Sequence, residues 1–155
     1  MKKYSVLFIV LMALTCFSDH VFASVRITEL GVGSTITFLS KTHVPLDGKV
    51  YNYTEEEWGD RTGGYTISRF FMFEFPASDS YREIPAGLVL TVVSRPKEKR
   101  VYEDNWDITI KLQSRTGMPV TLVVKTNSGG NISDLERAWK TKGGLKVNVH
   151  PVTIN

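Results

Sequence analysis

Two acidic clusters are the first places where this sequence could do chemistry. Residues 53–60 (YTEEEWGD) bring three glutamates and an aspartate together, and residues 102–107 (YEDNWD) bring three carboxylates together. Calcium requires about six to eight oxygen ligands held by a turn of defined spacing, and the first cluster lacks that spacing. The two carboxylates of a glycosidase face each other across a cleft, whereas those of the second cluster lie side by side at the start of a strand. We therefore interpret both clusters as solvated loop or turn segments.

The sequence gives little support for catalysis or metal binding by histidine or cysteine. Cys16 is the single cysteine, and His43 and His150 are the two histidines that follow residue 23. The sequence contains no phosphate loop, nucleophile elbow or metalloprotease helix. We predict that the protein is not an enzyme and that it has no metal or cofactor site. A metal site built from the two histidines and a carboxylate is the alternative.

Three tryptophans could line a binding site for a sugar or a peptide. Trp106 follows the alternation of a strand and Trp139 follows the spacing of a helix, so both are predicted to lie in the core. Trp58 lies in a polar segment. It is the one tryptophan that we predict to contact a ligand.

The N-terminus has the pattern of an export signal. Lys2 and Lys3 precede an apolar run at residues 6–14, and Val21-Phe22-Ala23 fits a cleavage site. The apolar run is too short to span a bilayer as a helix. We predict that residues 1–23 are a cleaved signal peptide, so that the protein is exported and begins at Ser24. Lipid modification of Cys16, or retention of the segment as an anchor, are the alternatives.

The charge of the mature chain does not favour nucleic acid as a partner. Without residues 1–23 the chain has 17 lysines and arginines against 15 aspartates and glutamates, spread along its length. Its one basic cluster is SRPKEKR at residues 94–100. We interpret that cluster as a solvated hairpin tip rather than an anion-binding patch.

Alternation of apolar and polar residues predicts most of the chain to be β-strand. It places Val50 and one of the two tyrosines at 51 and 53 inward, and it places Phe71 and Phe73 on one core face. A short turn at residues 114–119 predicts a hairpin between the strands on either side. The predicted strands are residues 25–30, 34–40, 48–53, 64–75, 87–95, 106–113, 119–126 and 145–154.

One helix interrupts the strands. Ser133 with Glu136 three residues later forms a predicted capping box, and the glycines at 143 and 144 end the helix. Its apolar face could cover one open end of a sandwich, and it consists of Leu135, Ala138 and Trp139. The predicted fold is an all-β, antiparallel, immunoglobulin-like β-sandwich with one short helix, and a small β-barrel is the alternative.

Several pieces of the sequence together resemble a known family. An export signal is followed at once by SVRITELGVG (residues 24–33), then by STITFLSKTHVPLDGK, and later by FMFEFPASDSYREIPAGLVLTVV. With its size and its cysteine-free mature chain, the protein resembles the disulfide-free subunits of chaperone–usher fimbriae from Gram-negative bacteria. The end of the chain, HPVTIN, departs from the family because it lacks an aromatic residue near the C-terminus.

The resemblance implies a structural or adhesive subunit of a surface fimbria, assembled by donor-strand complementation. Residues 24–33 would be the donor segment and residues 34–155 the pilin-like domain. The implied partners are neighbouring fimbrial subunits, a periplasmic chaperone, an outer-membrane usher and, as a further candidate, a host surface receptor. The implied location is the periplasm and then the cell surface. The implied donor residues are Val25, Ile27, Leu30 and Val32, and the groove would be lined by residues such as Ile108, Ile110, Val147 and Val149.

Two other functions remain open from the sequence. In the first, the chain is a self-contained periplasmic or secreted sandwich domain that binds a small ligand or inhibits an enzyme, and residues 25–30 are an edge strand of its own sheet. In the second, the chain is a hydrolase with an unfamiliar site.

Overall fold

A computed structural model describes residues 25–58, 65–103, 105–126 and 130–150. For residues 55–58 and 65–68 it describes the backbone alone. The predicted signal peptide at 1–23, Ser24 and the last residues of the strand predicted at 145–154 lie outside these ranges.

The described chain contains ten strands and one α-helix, together with 3₁₀ turns at Ile27–Glu29 and Lys140–Lys142. The helix, α1, is Ile132–Trp139 and precedes the last strand. The strands are β1 (Thr35–Phe38), β2 (Thr42–Val44), β3 (Lys49–Trp58), β4 (Tyr65–Glu74), β5 (Arg82–Ile84), β6 (Val89–Val92), β7 (Lys97–Tyr102), β8 (Asn105–Ser114), β9 (Pro119–Thr126) and β10 (Leu145–Asn148).

The strands form one curled antiparallel sheet and a small two-stranded ribbon. The sheet order is β10-β1-β6-β8-β9-β4-β3. Strand β8 is long enough to pair with two further strands in succession: its first half pairs with β7 and its last residues pair with β6. The ribbon is β2 with β5. This arrangement confirms the predicted all-β antiparallel class with one short helix, and it is consistent with a sandwich-like fold. The predicted hairpin of β8 and β9 is also confirmed.

The core lies inside the curl of the sheet. Every second side chain of a strand points into it. Strand β8 buries Ile108, Ile110 and Leu112 by this alternation. An aromatic cluster fills the centre: the ring centroids of Phe38 and Phe73 lie 5.1 Å apart, and each packs edge-on against the indole of α1. That indole belongs to Trp139, which is fully buried as predicted.

Helix α1 connects the two end strands of the sheet, β3 and β10. The Asn52 side-chain amide on β3 donates to the Ala138 carbonyl and, at 2.9 Å, to Thr141 Oγ1. On the other side, Glu136 Oε1 accepts from the Val147 N–H of β10 at 3.2 Å. The helix therefore lies along the seam between these strands, and its predicted apolar face packs on the core.

The predicted start of the helix was wrong by two residues. Asn131, not Ser133, occupies the N-cap position, and its N–H donates to Asp134 Oδ2 at 3.0 Å. Asp134 also pairs with Arg69 of β4 at 3.4 Å. The acidic partner of the cap is thus fixed by an ion pair with the sheet, which the local sequence could not reveal.

The strand predicted at residues 25–30 is wrong. Ile27–Glu29 form a 3₁₀ turn, and the one bridge of the segment joins Arg26 to Asn131. The Ile27 N–H donates to the Gly130 carbonyl at 2.9 Å, and the Ile132 N–H donates to the Val25 carbonyl at 3.0 Å. The segment is therefore bonded to the start of α1 in its own chain.

Other sequence predictions need smaller corrections. The cluster at residues 94–100, interpreted as a solvated hairpin tip, includes the first part of strand β7, whose residues are all exposed. The short strands β2 and β5 were not predicted, since three residues give too little alternation to detect. Val50 points inward as predicted, but Tyr51 and Tyr53 are both exposed.

Candidate functional site

The candidate site is a groove of about 510 Å³ along the outer edge of β3, here called the β3-edge groove. One wall is β3 itself, and the others come from β2 with its flanking residues and from the turn after α1. Its lining consists of Lys41, Thr42, His43, Pro45, Lys49, Val50, Tyr51, Asn52, Tyr53 and Lys142.

No described strand pairs with the outer backbone edge of β3 in this groove. The Phe75 N–H donates to the Gly48 carbonyl at 2.8 Å, whereas the Lys49 N–H turns the other way and donates to Asp47 Oδ1 at 3.0 Å. Successive residues of an antiparallel strand alternate in this way. The register with β4 is unbroken from Lys49 to Trp58, so the backbone groups of Tyr51 and Tyr53 also point away from β4.

The turn after α1 places Lys142 at the groove. Gly143 has φ +97°, and a Cβ atom there would lie 2.3 Å from the Cβ of Ser40. The Ser40 hydroxyl donates to the Gly143 carbonyl at 3.0 Å, and the Leu39 N–H donates to the Gly144 carbonyl at 3.1 Å. Only glycine permits this close approach, which brings Lys142 beside Lys41.

A small polar cluster forms beside the groove on the β2–β5 ribbon. Lys41 Nζ lies 2.7 Å from Glu83 Oε2, and the Tyr81 hydroxyl donates to Glu83 Oε1 at 2.7 Å. The hydrogen bond from Lys41, followed by that from Tyr81, lowers the pKa of Glu83 below its ordinary value. The hydrogen bond to Glu83 raises the pKa of both Lys41 and Tyr81. The ring of Tyr81 also stacks on His43 with centroids 4.7 Å apart.

The groove lining carries charge of one sign. Among the residues that the structure describes, the lining contains three lysines and a histidine and no carboxylate. Glu83, the acid beside it, is bound to Lys41. Within the described part of the chain, no carboxylate lies within 4 Å of the Nζ of Lys49 or Lys142. Both ammonium groups are therefore available to an anionic partner.

Aromatic side chains continue from the groove onto the convex face of the sheet. Tyr51 and Tyr53 are 55% and 59% exposed. The Tyr51 ring packs on Phe70 of β4 with centroids 5.5 Å apart. Exposed tyrosines of this kind supply contact area at low entropic cost when a partner binds.

A second hollow of about 510 Å³ opens at the end of the core beside the N-terminal segment. Trp106 is half-buried there rather than fully buried, and the Arg100 guanidinium lies 5.9 Å from its ring centroid. The lining combines Arg26 with Glu98. Glu98 belongs to β7, which pairs with β8 alone among the described strands, so this hollow also borders a strand edge. Its mixed charges suit an acidic partner less well than the lysines of the β3-edge groove do.

The four residues predicted to act as a donor strand do not share one surface. Ile27 and Leu30 are 0% exposed in the core of their own domain, Val25 is half-buried against it, and Val32 is 53% exposed. The residues predicted to line an acceptor groove belong to the same core: Ile108 and Ile110 are buried, and Val147 and Val149 pack against it.

The other predicted chemical residues are also dispersed. His43 lines the β3-edge groove, whereas His150 lies beside Gly33, and in the described ranges no three His, Cys, Asp or Glu side chains are grouped as metal ligands would be. The side chain of Trp58 lies outside the described part of the chain. Its backbone belongs to β3.

Sequence reasoning missed most of the groove. Lys41, Lys49 and Lys142 are distant in the sequence and are brought together by tertiary contacts. The usable signal was the pair of tyrosines at 51 and 53, which alternate on one face of a strand that also carries Lys49. If both tyrosines are placed on the outer face of the strand, the alternation predicts an exposed aromatic surface there.

Comparison with protein-family models, with curated proteins and with solved structures gave no match. None of the described helices is long and apolar enough to cross a membrane.

Proposed function

We propose that this protein is an exported, self-contained binding domain that captures an extended, acidic polypeptide segment by adding it as a strand to β3. The observation that carries the proposal is the outward-facing backbone edge at Tyr51 and Tyr53, lying in a groove with three lysines. In strand addition the backbone edge supplies the affinity, and the flanking side chains supply the specificity. The proposal concerns binding and includes no bond chemistry.

The self-contained character rests on contacts that the chain makes within its own domain. Helix α1 bonds to both β3 and β10, and the N-terminal segment buries Ile27 and Leu30 in its own core. Burying two such side chains contributes about 1.5–3 kcal/mol each. A donor strand for a neighbouring subunit would have to give up this burial first.

The fimbrial function stays a prediction alongside this proposal. It shares strand addition as a mechanism but requires an apolar acceptor groove open to the core. The β3-edge groove instead has a basic lining, which suits an acidic segment better than the apolar donor sequence at residues 25–32.

Binding of designed strands tests the proposal. The probes are a fluorescein-labelled peptide of alternating glutamate and valine and a matching peptide of lysine and valine, measured by fluorescence anisotropy. We expect the acidic peptide to bind the wild type and the basic peptide to bind far more weakly, because like charges meet at Lys49 and Lys142.

A proline substitution separates strand addition from general attraction. Tyr51→Pro removes an outward N–H that β4 does not use, so an edge strand tolerates it. We expect about a tenfold loss of affinity for the acidic peptide, since a backbone bond and its register are lost. Tyr51→Thr keeps the N–H and is the control. Equal binding of both peptides, no binding of either, or equal effects of the two substitutions would contradict the proposal.

A further inference from the structure

The sequence of β3 is complementary to itself when two copies run antiparallel. Its first residue is Lys49, and residues 55–57 near its other end are glutamates. Antiparallel pairing of two β3 strands brings the basic end of each copy to the acidic end of the other. Lys142 adds to the positive charge at the Lys49 end, whereas Lys41 is paired with Glu83.

We infer that the β3-edge groove binds the β3 strand of a second copy of this chain, forming a symmetric dimer with a continuous sheet. This inference rests on the proposed function, and it names the acidic segment as residues 55–57 of the second copy. An identical surface on both partners is what two-fold symmetry requires.

The backbone restricts the possible registers. Odd-numbered residues of β3 present their N–H and C=O groups to the free edge, so odd positions must oppose odd positions in a paired strand. A two-fold axis at Tyr53 opposes position 49 to position 57 and position 51 to position 55.

Charge and the length of the paired ladder together select this register from its neighbours. An axis at position 51 would leave the glutamates without lysine partners in the ladder. An axis at position 55 would oppose Glu55 to itself. An axis at position 52 opposes Lys49 to Glu55 and pairs residues 49–55. The axis at Tyr53 opposes Lys49 to Glu57 twice, once on each side of the axis, and pairs residues 49–57, so it combines the charge pairs with the longer ladder. Opposite charges directly across an antiparallel pair stabilise it.

The length of the strand adds to the argument. Strand β3 is ten residues long, and among the described strands it pairs with β4 alone. Long unpaired edges are the parts of a sheet that pair with other chains. The opposite end strand, β10, has four residues and is bonded by Glu136 at Val147.

Charge exchange between copies tests the dimer. The measurement is sedimentation equilibrium of residues 24–155 over a concentration series, for the wild type, Lys49→Glu and Glu57→Lys. We expect a wild-type dimer, and a dissociation constant raised about tenfold or more in either variant, because each homodimer then contains two like-charge pairs. Lys146→Glu on β10 is the matched control and leaves the dimer unchanged.

Mixing the two variants gives the decisive result. A Lys49→Glu chain and a Glu57→Lys chain oppose unlike charges at both ends, so we expect a one-to-one heterodimer with near wild-type affinity. This outcome also shows that both variants are folded. A wild-type chain that stays monomeric, variants that dimerise as the wild type does, or a mixture that does not associate would each overturn the inference.

The failure of this inference can be distinguished from that of the proposed function. If the chain is monomeric but still binds the glutamate–valine peptide through Tyr51, strand addition stands and the second copy is not the partner. In that case the lysines and glutamates of β3 protect an edge against self-pairing. If the peptide does not bind either, the proposed function fails as well.

Discussion

At the scale of single residues, Ile27 and Leu30 decide whether the N-terminal segment belongs to its own domain. Both are fully buried, and the N–H of each is hydrogen-bonded within the chain. Val32, five residues after Ile27, is 53% exposed. The three residues were expected to play one role in a donor strand, yet their surroundings differ completely.

Substitution of these residues is the first prediction. Ile27→Ala should lower the free energy of unfolding by about 2–5 kcal/mol, because it removes buried methyl groups and leaves a cavity. Val32→Ala, the control, should change it by less than about 0.5 kcal/mol. Urea unfolding followed by circular dichroism measures both. A negligible effect of Ile27→Ala would contradict the placement of this segment in the core.

The residue scale also shows what the sequence could reveal. Alternation predicted the inward positions of Phe71, Phe73 and Val50, because strand geometry alone sets them. It did not predict the burial of Ile27, which depends on Gly130 and the start of α1, more than one hundred residues away. The groove lysines depend on equally distant contacts.

At the scale of elements, α1 and the turn after it connect the two end strands of the sheet. The sequence predicted this helix and its apolar face, since the spacing of Leu135, Ala138 and Trp139 is local information. Its position along the seam between β3 and β10 follows from the curl of the sheet, which no local pattern encodes. The same turn positions Lys142. The contact between Gly143 and Ser40 therefore holds both the end of the helix and one wall of the β3-edge groove.

Alanine substitution at Gly143 tests that contact. Gly143→Ala should destabilise the protein more than Gly87→Ala does. Both glycines have positive φ, +97° and +88°, so both substitutions strain the backbone, but at Gly143 the new Cβ would also meet Ser40 at 2.3 Å, whereas Gly87 has nothing within 4 Å. Thermal unfolding of the two variants measures the difference. Equal losses would show that the contact with Ser40 does not hold the turn.

At the scale of the whole molecule, the core is covered by segments of the same chain. The N-terminal segment covers part of the core, the helix covers the seam between β3 and β10, and β3 is left as a long strand edge with a basic groove. The all-β class with one helix was predictable, since eight stretches of alternation can form little else. Which strand edge stays open was not predictable, because it depends on the order of strands in the sheet.

The most direct test of a self-contained domain is thermal unfolding of two chains. One is residues 24–155 in the native order, and the other lacks residues 24–33 at its start and carries them after a flexible linker at the C-terminus. We expect the native order to melt cooperatively as a monomer or closed dimer and the rearranged chain to melt at a lower temperature. A native chain that is unstable or forms open polymers, with a rearranged monomer that melts far higher, would contradict the account and favour a fimbrial subunit.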